Sequence, residues 1–467
     1  MGHLPTTTAP PTAIQTGTLV APPEENRDRQ TGFGPVLANS AFVRLWSAQL
    51  LSQMAQNTIW IVLITRIMGL TNSTTHVGVA IVSGIAPQML MSGFAGVIVD
   101  RSSKRAVLGI SNVLRVGIVG GYVLTRNDPT LIYVLTFISQ SISQFFGPAE
   151  AASIPILVKR QQLMPATSLF NLTFNAAQFI PFGVGPLLEI WLQGIFGGPG
   201  NPDAGFNAIM IGAGLFYLAA AALVRTLPDS TAVRPPGGVG NSLGEAAGHI
   251  WRDIQEGIHF IRQDRRLGIA LFQINIAPTF FFVFGELALS YAKTVLRLSA
   301  GDIYVVLAPA GIGLVIGLLG LGRFGHLVRK DLLISVGLVS MGAAVALMGL
   351  LPAVMTQFAR LGNALGYQQQ IAGMVLPPAM IIALVMGVAM ALTTVPTQTV
   401  VLERATPEVR GRVLAMQQVI GGAIPIIPLL VAGPLADAFG VTRVLAAIGL
   451  LILLTGVWSA KATPHHS

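Results

Sequence analysis

The sequence contains no cysteine, which excludes disulfides, thiol catalysis and cysteine-ligated metals. Charge is scarce as well. Only 10% of its 467 residues are Asp, Glu, Lys or Arg, against roughly 25% in a soluble domain that must cover its surface with charge. Histidine is limited to seven residues, and neither a His-Glu-x-x-His pattern nor a cluster of carboxylates is present, so no metal-dependent enzyme and no cofactor is expected. A phosphate-cradling Gly-x-x-x-x-Gly-Lys-Ser/Thr loop is missing too, which removes ATP as a direct energy source.

What remains is apolar. Hydrophobic residues make up 52% of the chain, with Gly 52 and Pro 29, the composition of membrane helices that pack through small residues and bend at prolines. Stretches long enough to span a bilayer, about 20 residues each, fall near 44–69, 75–99, 105–125, 130–157, 167–190, 205–226, 267–292, 301–323, 331–352, 376–402, 412–437 and 440–460. Interior prolines at Pro181, Pro186, Pro278, Pro396, Pro425 and Pro428 are expected to kink these helices. The expectation is therefore an all-α membrane protein of twelve transmembrane helices.

The net charge of +9 does not signal nucleic-acid binding, because the basic residues lie in short clusters between apolar runs without an aromatic platform. They set orientation instead. With the N-terminus inside, 21 of the 28 Lys and Arg residues fall on the cytoplasmic side, five outside, and Arg66 and Arg115 within spans. Both termini are thus expected in the cytoplasm of a multi-pass cell-membrane protein. Residues 1–40, Pro- and Thr-rich and without an apolar core, read as a disordered cytoplasmic tail. Two halves, 41–227 and 265–461, flank a cytoplasmic connection at 228–264, and a short tail follows at 462–467. In that connection Trp251, Ile254, Ile258 and Ile261 recur at helical spacing, as an amphipathic helix lying on the membrane or on the ends of the bundle.

The halves repeat one another. Gly185-Pro186-Leu187-Leu188-Glu189 and Gly433-Pro434-Leu435-Ala436-Asp437 close corresponding helices six spans apart, as expected of two pseudo-symmetric six-helix bundles. Gly96-x-x-x-Asp100-Arg101-x-x-Lys104-Arg105, between the second and third spans, closely resembles the signature loop of the major facilitator superfamily. Phe145-Phe146-Gly147-Pro148-Ala149, with Ala152, Pro155, Leu157 and Val158, resembles its branch of macrolide, siderophore and multidrug exporters, as does Arg410-Gly411-Arg412-Val413.

The resemblance implies the major facilitator fold, with helices 1, 4, 7 and 10 around a central cavity, and a loop that latches the cytoplasmic side shut. In that latch Asp100 meets the start of helix 11, Gly96 permits close helix approach, and Arg101, Lys104 and Arg105 equally satisfy the inside-positive bias. It also implies a monomeric secondary transporter exporting a lipophilic or amphipathic small molecule, with protons as the candidate coupling ion. Departures qualify the coupling: Gln56 and Asn57 stand where related exporters often carry an acid. Movement of lipids or lysolipids, and a non-transporting membrane sensor, stay open as alternatives.

Ionisable and polar residues inside spans are functional candidates by default. Glu286 lies toward the outer end of helix 7, either as a proton- or cation-binding carboxylate in the cavity or as a rim acid paired with Lys293. Arg66 and Glu189 reach similar heights and are expected to pair across an outer gate. Arg115 and Glu150 are expected to pack within the first half. The candidate cavity set is Gln49, Gln53, Gln56, Asn57, Gln140, Gln144, Asn275, Glu286, Thr394, Thr397 and Gln398. Of these, Gln49, Gln53 and Gln56 share one helical face.

Overall fold

A computed structural model describes residues 33–198, 201, 203–228, 265–298, 304–364, 371–404 and 410–462. These residues are helical throughout, apart from turns and one isolated bridge between Gly198 and Asn201. The first half comprises α1 (Ser40–Thr71), α2 (Thr74–Arg101), α3 (Lys104–Leu124), α4 (Pro129–Leu157), α5 (Leu163–Phe196) and α6 (Ala204–Arg225). The second comprises α7 (Arg265–Thr294), α8 (Tyr304–Phe324), α9 (Lys330–Ala364), α10 (Ile371–Arg404), α11 (Arg410–Ala423 and Ile426–Phe439) and α12 (Val441–Ala462). Pro278 and Pro396 lie within α7 and α10, and α11 breaks at Ile424-Pro425. Among the described residues, seven helices (α3, α6, α7 and α9 to α12) are long and apolar enough to cross a membrane by length and composition. Helices α1 and α4 fall short because Gln and Ser dilute their apolar runs.

Helix ends are set by local chemistry. Asn39 Oδ1 accepts from the amides of Ala41 and Phe42 at 3.1 and 3.2 Å to start α1. Asp128 does the same for α4 ahead of Pro129, the residue favoured at the first helical position. Asn72 ends α1 in the left-handed region at φ 52°, which Asn tolerates better than most residues.

Two expectations change at this level. The tail ends before residue 40, because Phe33–Leu37 forms a helical turn with Val36 fully buried against the first half. Helix α5 continues to Phe196, which places Glu189 two turns inside its end. Residues 1–32 and the connection at 229–264, with its amphipathic stretch, lie outside the described residues.

The packing shows the repeat directly. Helices α1 and α6, α3 and α6, α2 and α4, and α1 and α5 pair in the first half. Six helices on, α7 and α12, α9 and α12, α8 and α10, and α7 and α11 pair in the second. The halves meet chiefly through α2 on α11 and its repeat equivalent, α8 on α5.

Glycine governs the close crossings of the second half. A Cβ on Gly313 of α8 would be driven into the Leu384 carbonyl of α10, and one on Gly387 into that of Ala310. Gly320, on the same helix as Gly313, has nothing within 4 Å of such an atom among the described residues. Gly313→Ala is expected to lower the melting temperature of the purified protein, as overpacking of about 1–3 kcal/mol requires. Gly320→Ala should leave it unchanged or raise it slightly, because Ala is the better helix former. Thermal unfolding of the two variants side by side checks this.

Candidate functional site at the α2, α7 and α11 crossing

Helix α2 begins without a cap of its own, because the Ser73 side chain makes no capping hydrogen bond. An acid from the other half takes that place. The Asp437 carboxylate accepts from the amides of Thr74 (2.9 Å) and Thr75 (3.1 Å) and from the hydroxyls of Ser73 and Thr75 (both 2.7 Å). These amides are among the four that a helix start leaves unpaired, and they carry its positive dipole end. The contact spans more than 360 residues of sequence and joins the two halves at the Thr74 end of the bundle.

One turn further in, Glu286 of α7 enters the same interface. It is 0% exposed, and neither carboxyl oxygen has a hydrogen-bond partner among the described residues. The space it occupies exists because two glycines face it. A Cβ on Gly433 of α11 would lie 2.6 Å from Glu286 Oε1, and Gly78 of α2 crowds the same oxygen. Lys293, the alternative partner for Glu286, donates instead to Asn72 Oδ1 at the end of α1.

Deeper still, Gln88 of α2 donates to Gln418 of α11, and Gly422 packs against the Met89 backbone. Asn275 of α7 lies over Gly421, with its own amide turned back to the Leu271 carbonyl at 2.7 Å. From Thr74 to Gln88 this seam runs 14 residues, about 21 Å of helix.

The start of α11, the partner expected in the latch, has no described side chains, and a Cβ on Gly96 meets nothing within 4 Å among the described residues. The tight contacts of α2 lie at Gly78 and Gly84 instead, toward the Thr74 end. The side chains of Asp100 and Arg101, and those of Arg410 to Ala415, lie outside the described residues. Arg105 donates to the Leu227 carbonyl at 3.1 Å, and Lys104 is also engaged.

The polar face of α1 turns largely into its own half. Gln49 is buried, Ser52 donates to Asn112 of α3 at 2.9 Å, and Gln56 accepts from Tyr217 of α6 at 3.1 Å. Asn57 donates to the Ala177 carbonyl of α5 at 2.9 Å, and Gln53 is half-buried. The same interior holds Arg115, which donates to Ser143 at 2.9 Å and lies over the rings of Phe146 and Tyr217 at 4.9 and 5.5 Å. Glu150 is buried nearby. Gln140 and Gln144 are half-buried on α4; on α10, Thr394 is half-buried, Gln398 exposed, and Thr397 fully buried with its hydroxyl on the Thr393 carbonyl.

Arg66 does not pair with Glu189. Its guanidinium binds Asp203 at 2.8 Å, the Arg126 carbonyl at 3.1 Å and Asn127 at 2.6 Å, and lies over the Phe206 ring. Arg126 holds the second Asp203 oxygen at 2.8 Å. The reason is local: Asp203 starts α6 beside both arginines and takes up the guanidinium that Glu189 of α5 was expected to bind. Sequence reasoning missed Asp203, Gln88 and Gln418, and read Asp437 only as a repeat of Glu189. The run Ser73-Thr74-Thr75 ahead of an apolar span was the available signal for a capped helix start.

The family model of the Major Facilitator Superfamily matches residues 45–427. Macrolide efflux protein A of Streptococcus pyogenes is 23% identical over 429 residues, covering 89% of this chain and 94% of that protein. The multidrug efflux pump Tap of Mycolicibacterium fortuitum is 23% identical over 405 residues, covering 82% and 86%. Among solved structures, the nucleoside transporter NupG superposes with a TM-score of 0.67 at 10% identity, over 91% of this chain and 100% of that one.

The Arg66–Asp203–Arg126 cluster yields a pH prediction. Partial burial works against the Asp203 charge, but the hydrogen bond from Arg126 and the charge of Arg66 outweigh it and hold this carboxyl below its ordinary range. A lowered carboxyl contributes stability above its unfolded value, about 3.9, and loses it as pH falls through the folded value. Asp203→Asn should therefore lower the melting temperature at pH 7, and the gap from the parent should narrow below about pH 4. A double-mutant cycle with Arg66→Ala should return a coupling on the order of 1 kcal/mol.

Proposed function

From a chain that belongs to the Major Facilitator Superfamily, matched across residues 45–427, we propose a secondary exporter of lipophilic or amphipathic small molecules that works by alternating access. The chain is a multi-pass membrane transporter of small molecules. Export, the substrate class, the coupling and the cycle are the reading offered here. The observation that carries it is the two-fold arrangement of the interface: α2 meets α11 as α8 meets α5. Two halves joined through symmetry-related crossings rock about the site between them. The relatives named as macrolide and multidrug efflux proteins support the direction and the class of cargo.

In this reading the halves are 41–227 and 265–461, both termini are cytoplasmic, and the Thr74 end faces outward. The structure then corresponds to a transporter closed to the outside. The signature loop, from Gly96 through Asp100, Arg101, Lys104 and Arg105, is the opposing latch, engaged when the cytoplasmic side closes. Substrate enters toward the Gly96 end, among Gln53, Gln140, Gln144, Thr394 and Gln398, while Gln49, Gln56 and Thr397 serve the interior of their own bundles. Apolar residues Met89, Leu90, Phe94 and Ile98 are exposed along the same stretch of α2, which suits an amphipathic cargo.

Purified protein in liposomes, tested with cationic dyes, macrolides and lysolipids with and without a pH gradient, checks the proposal. Gradient-driven movement of dyes or macrolides is expected, and Asp100→Asn should reduce it about tenfold or more without loss of folded protein, as loss of a state-specific contact requires. Transport of lysolipids alone would replace the drug-type cargo with a lipid one. Movement indifferent to the gradient would remove proton coupling.

A further inference from the structure

We propose that Glu286 and Asp437 together form a proton-controlled lock on the outward side, in which the proton-bearing Glu286 carboxyl permits the Asp437 cap on α2 to close. The inference rests on the orientation and transport reading above. It assigns an outer gate to residues at the opposite end of α2 from the signature loop.

The geometry makes the two acids interdependent. Asp437 is one turn along α11 from Gly433, and Thr74 is one turn along α2 from Gly78. The two glycines close on Glu286 from either side, directly beneath the capped helix start. When Asp437 seats on Thr74 and Thr75, α2 and α11 are drawn together and Glu286 loses all exposure. A neutral carboxyl fits such a space. An ionised one without a partner does not, because an uncompensated buried charge is far costlier than a neutral polar group.

The surrounding charges offer no relief. From α11 the facing group is Asp437, itself an anion. The titratable group at this end of α2, His76, is turned to Tyr133 of α4, stacked on its ring and hydrogen-bonded to its hydroxyl at 2.9 Å. On α7 itself Tyr291 is buried and Lys293 is committed to Asn72. At the start of α12, Arg443 is directed to the Phe439 carbonyl. From α1, Arg66 is held by Asp203. Among the described residues no cation makes an ion pair with Glu286.

Release of the proton therefore favours parting of α2 and α11, which admits water to Glu286 and breaks the four hydrogen bonds of the cap. Rebinding a proton from outside restores the closed arrangement. Closure and protonation are linked in the sense that the closed state binds the proton more tightly.

The absence of cysteine allows a direct test. Cysteines introduced at the exposed Leu70 of α1 and Phe439 of α11 carry spin labels on opposite halves, and their separation is measured in liposomes between pH 5 and pH 9. The short distance should dominate at low pH, with the ratio of open to closed molecules rising about tenfold per pH unit across the transition. Glu286→Gln should hold the short distance at every pH. Asp437→Asn should populate the long distance even at pH 5, and Ser73→Ala with Thr75→Val, which removes two donors and leaves the acid, should do so in part. The last variant keeps the test decisive if Asp437→Asn fails to fold.

A pH response in Glu286→Gln equal to that of the parent would overturn the proton role. Unchanged distances in the cap variants would overturn the latch. Because the readout needs no substrate, failure of the export reading would appear as absent transport with the distance response intact.

Discussion

A helix start without a cap is a liability in a membrane protein, and the interface between the halves is organised around one. In a bilayer an unpaired amide has no water to turn to unless it reaches the surface. The first amides of α2 are satisfied from the far half, by Asp437, while the neighbouring Ser73 hydroxyl donates to the same carboxylate instead of capping. The cap therefore ties a local requirement of one helix to the relative position of two bundles. When the bundles separate at this end, the amides must find water, and water must reach them. A requirement of secondary structure has become a constraint on conformation.

That constraint is transmitted along a seam of small residues. Gly78, Gly422 and Gly433 let α2 and α11 approach until side chain meets backbone, and Gln88 and Gln418 join across it about 21 Å of helix from the cap. Van der Waals contact of this kind is the main attraction available between helices that lipid solvates as well as protein does. It is also short-ranged, so a small rotation forfeits much of it at once. A seam of this construction has a closed arrangement and an open one, with little to stabilise positions between them.

The sequence disclosed the fold more fully than the site, for physical reasons that differ by residue. Long apolar runs, the paired Gly-Pro-Leu segments and the signature loop carry local information, and the helices and the repeat followed from them. Glu286 was marked by its rarity, since an acid inside an apolar span is costly wherever it points. Its surroundings were not legible, because they are built from Gly78 and Gly433, 208 and 147 residues away, and a glycine in a membrane helix has many uses. The face shared by Gln49, Gln53 and Gln56 was read correctly as a face. Periodicity does not say which neighbour a face meets: Tyr217 takes Gln56 into the bundle interior, and Asn112 takes the adjacent Ser52. Arg66 was lost to Asp203 for a similar reason: an acid in a turn carries no membrane-depth signal, yet it lies at the arginine's height.

The two halves reach rigidity by different chemistry. In the first half the interior is polar: Ser52 with Asn112, Gln56 with Tyr217, and Arg115 with Ser143 between two aromatic rings. In the second, glycines at 313, 342, 349, 387 and 449 bring helix against backbone. Polar groups in hydrocarbon have few alternatives to their native partners, and direct backbone contact tolerates little displacement. Either device ties the helices of a bundle closely to one another. The Asp437 cap, exposed enough to exchange its hydrogen bonds for water, is the weaker link, and motion is expected where the link is weakest. On the proposed alternating-access reading, hinging between the bundles follows from this difference in strength, without any flexible element being needed within either one.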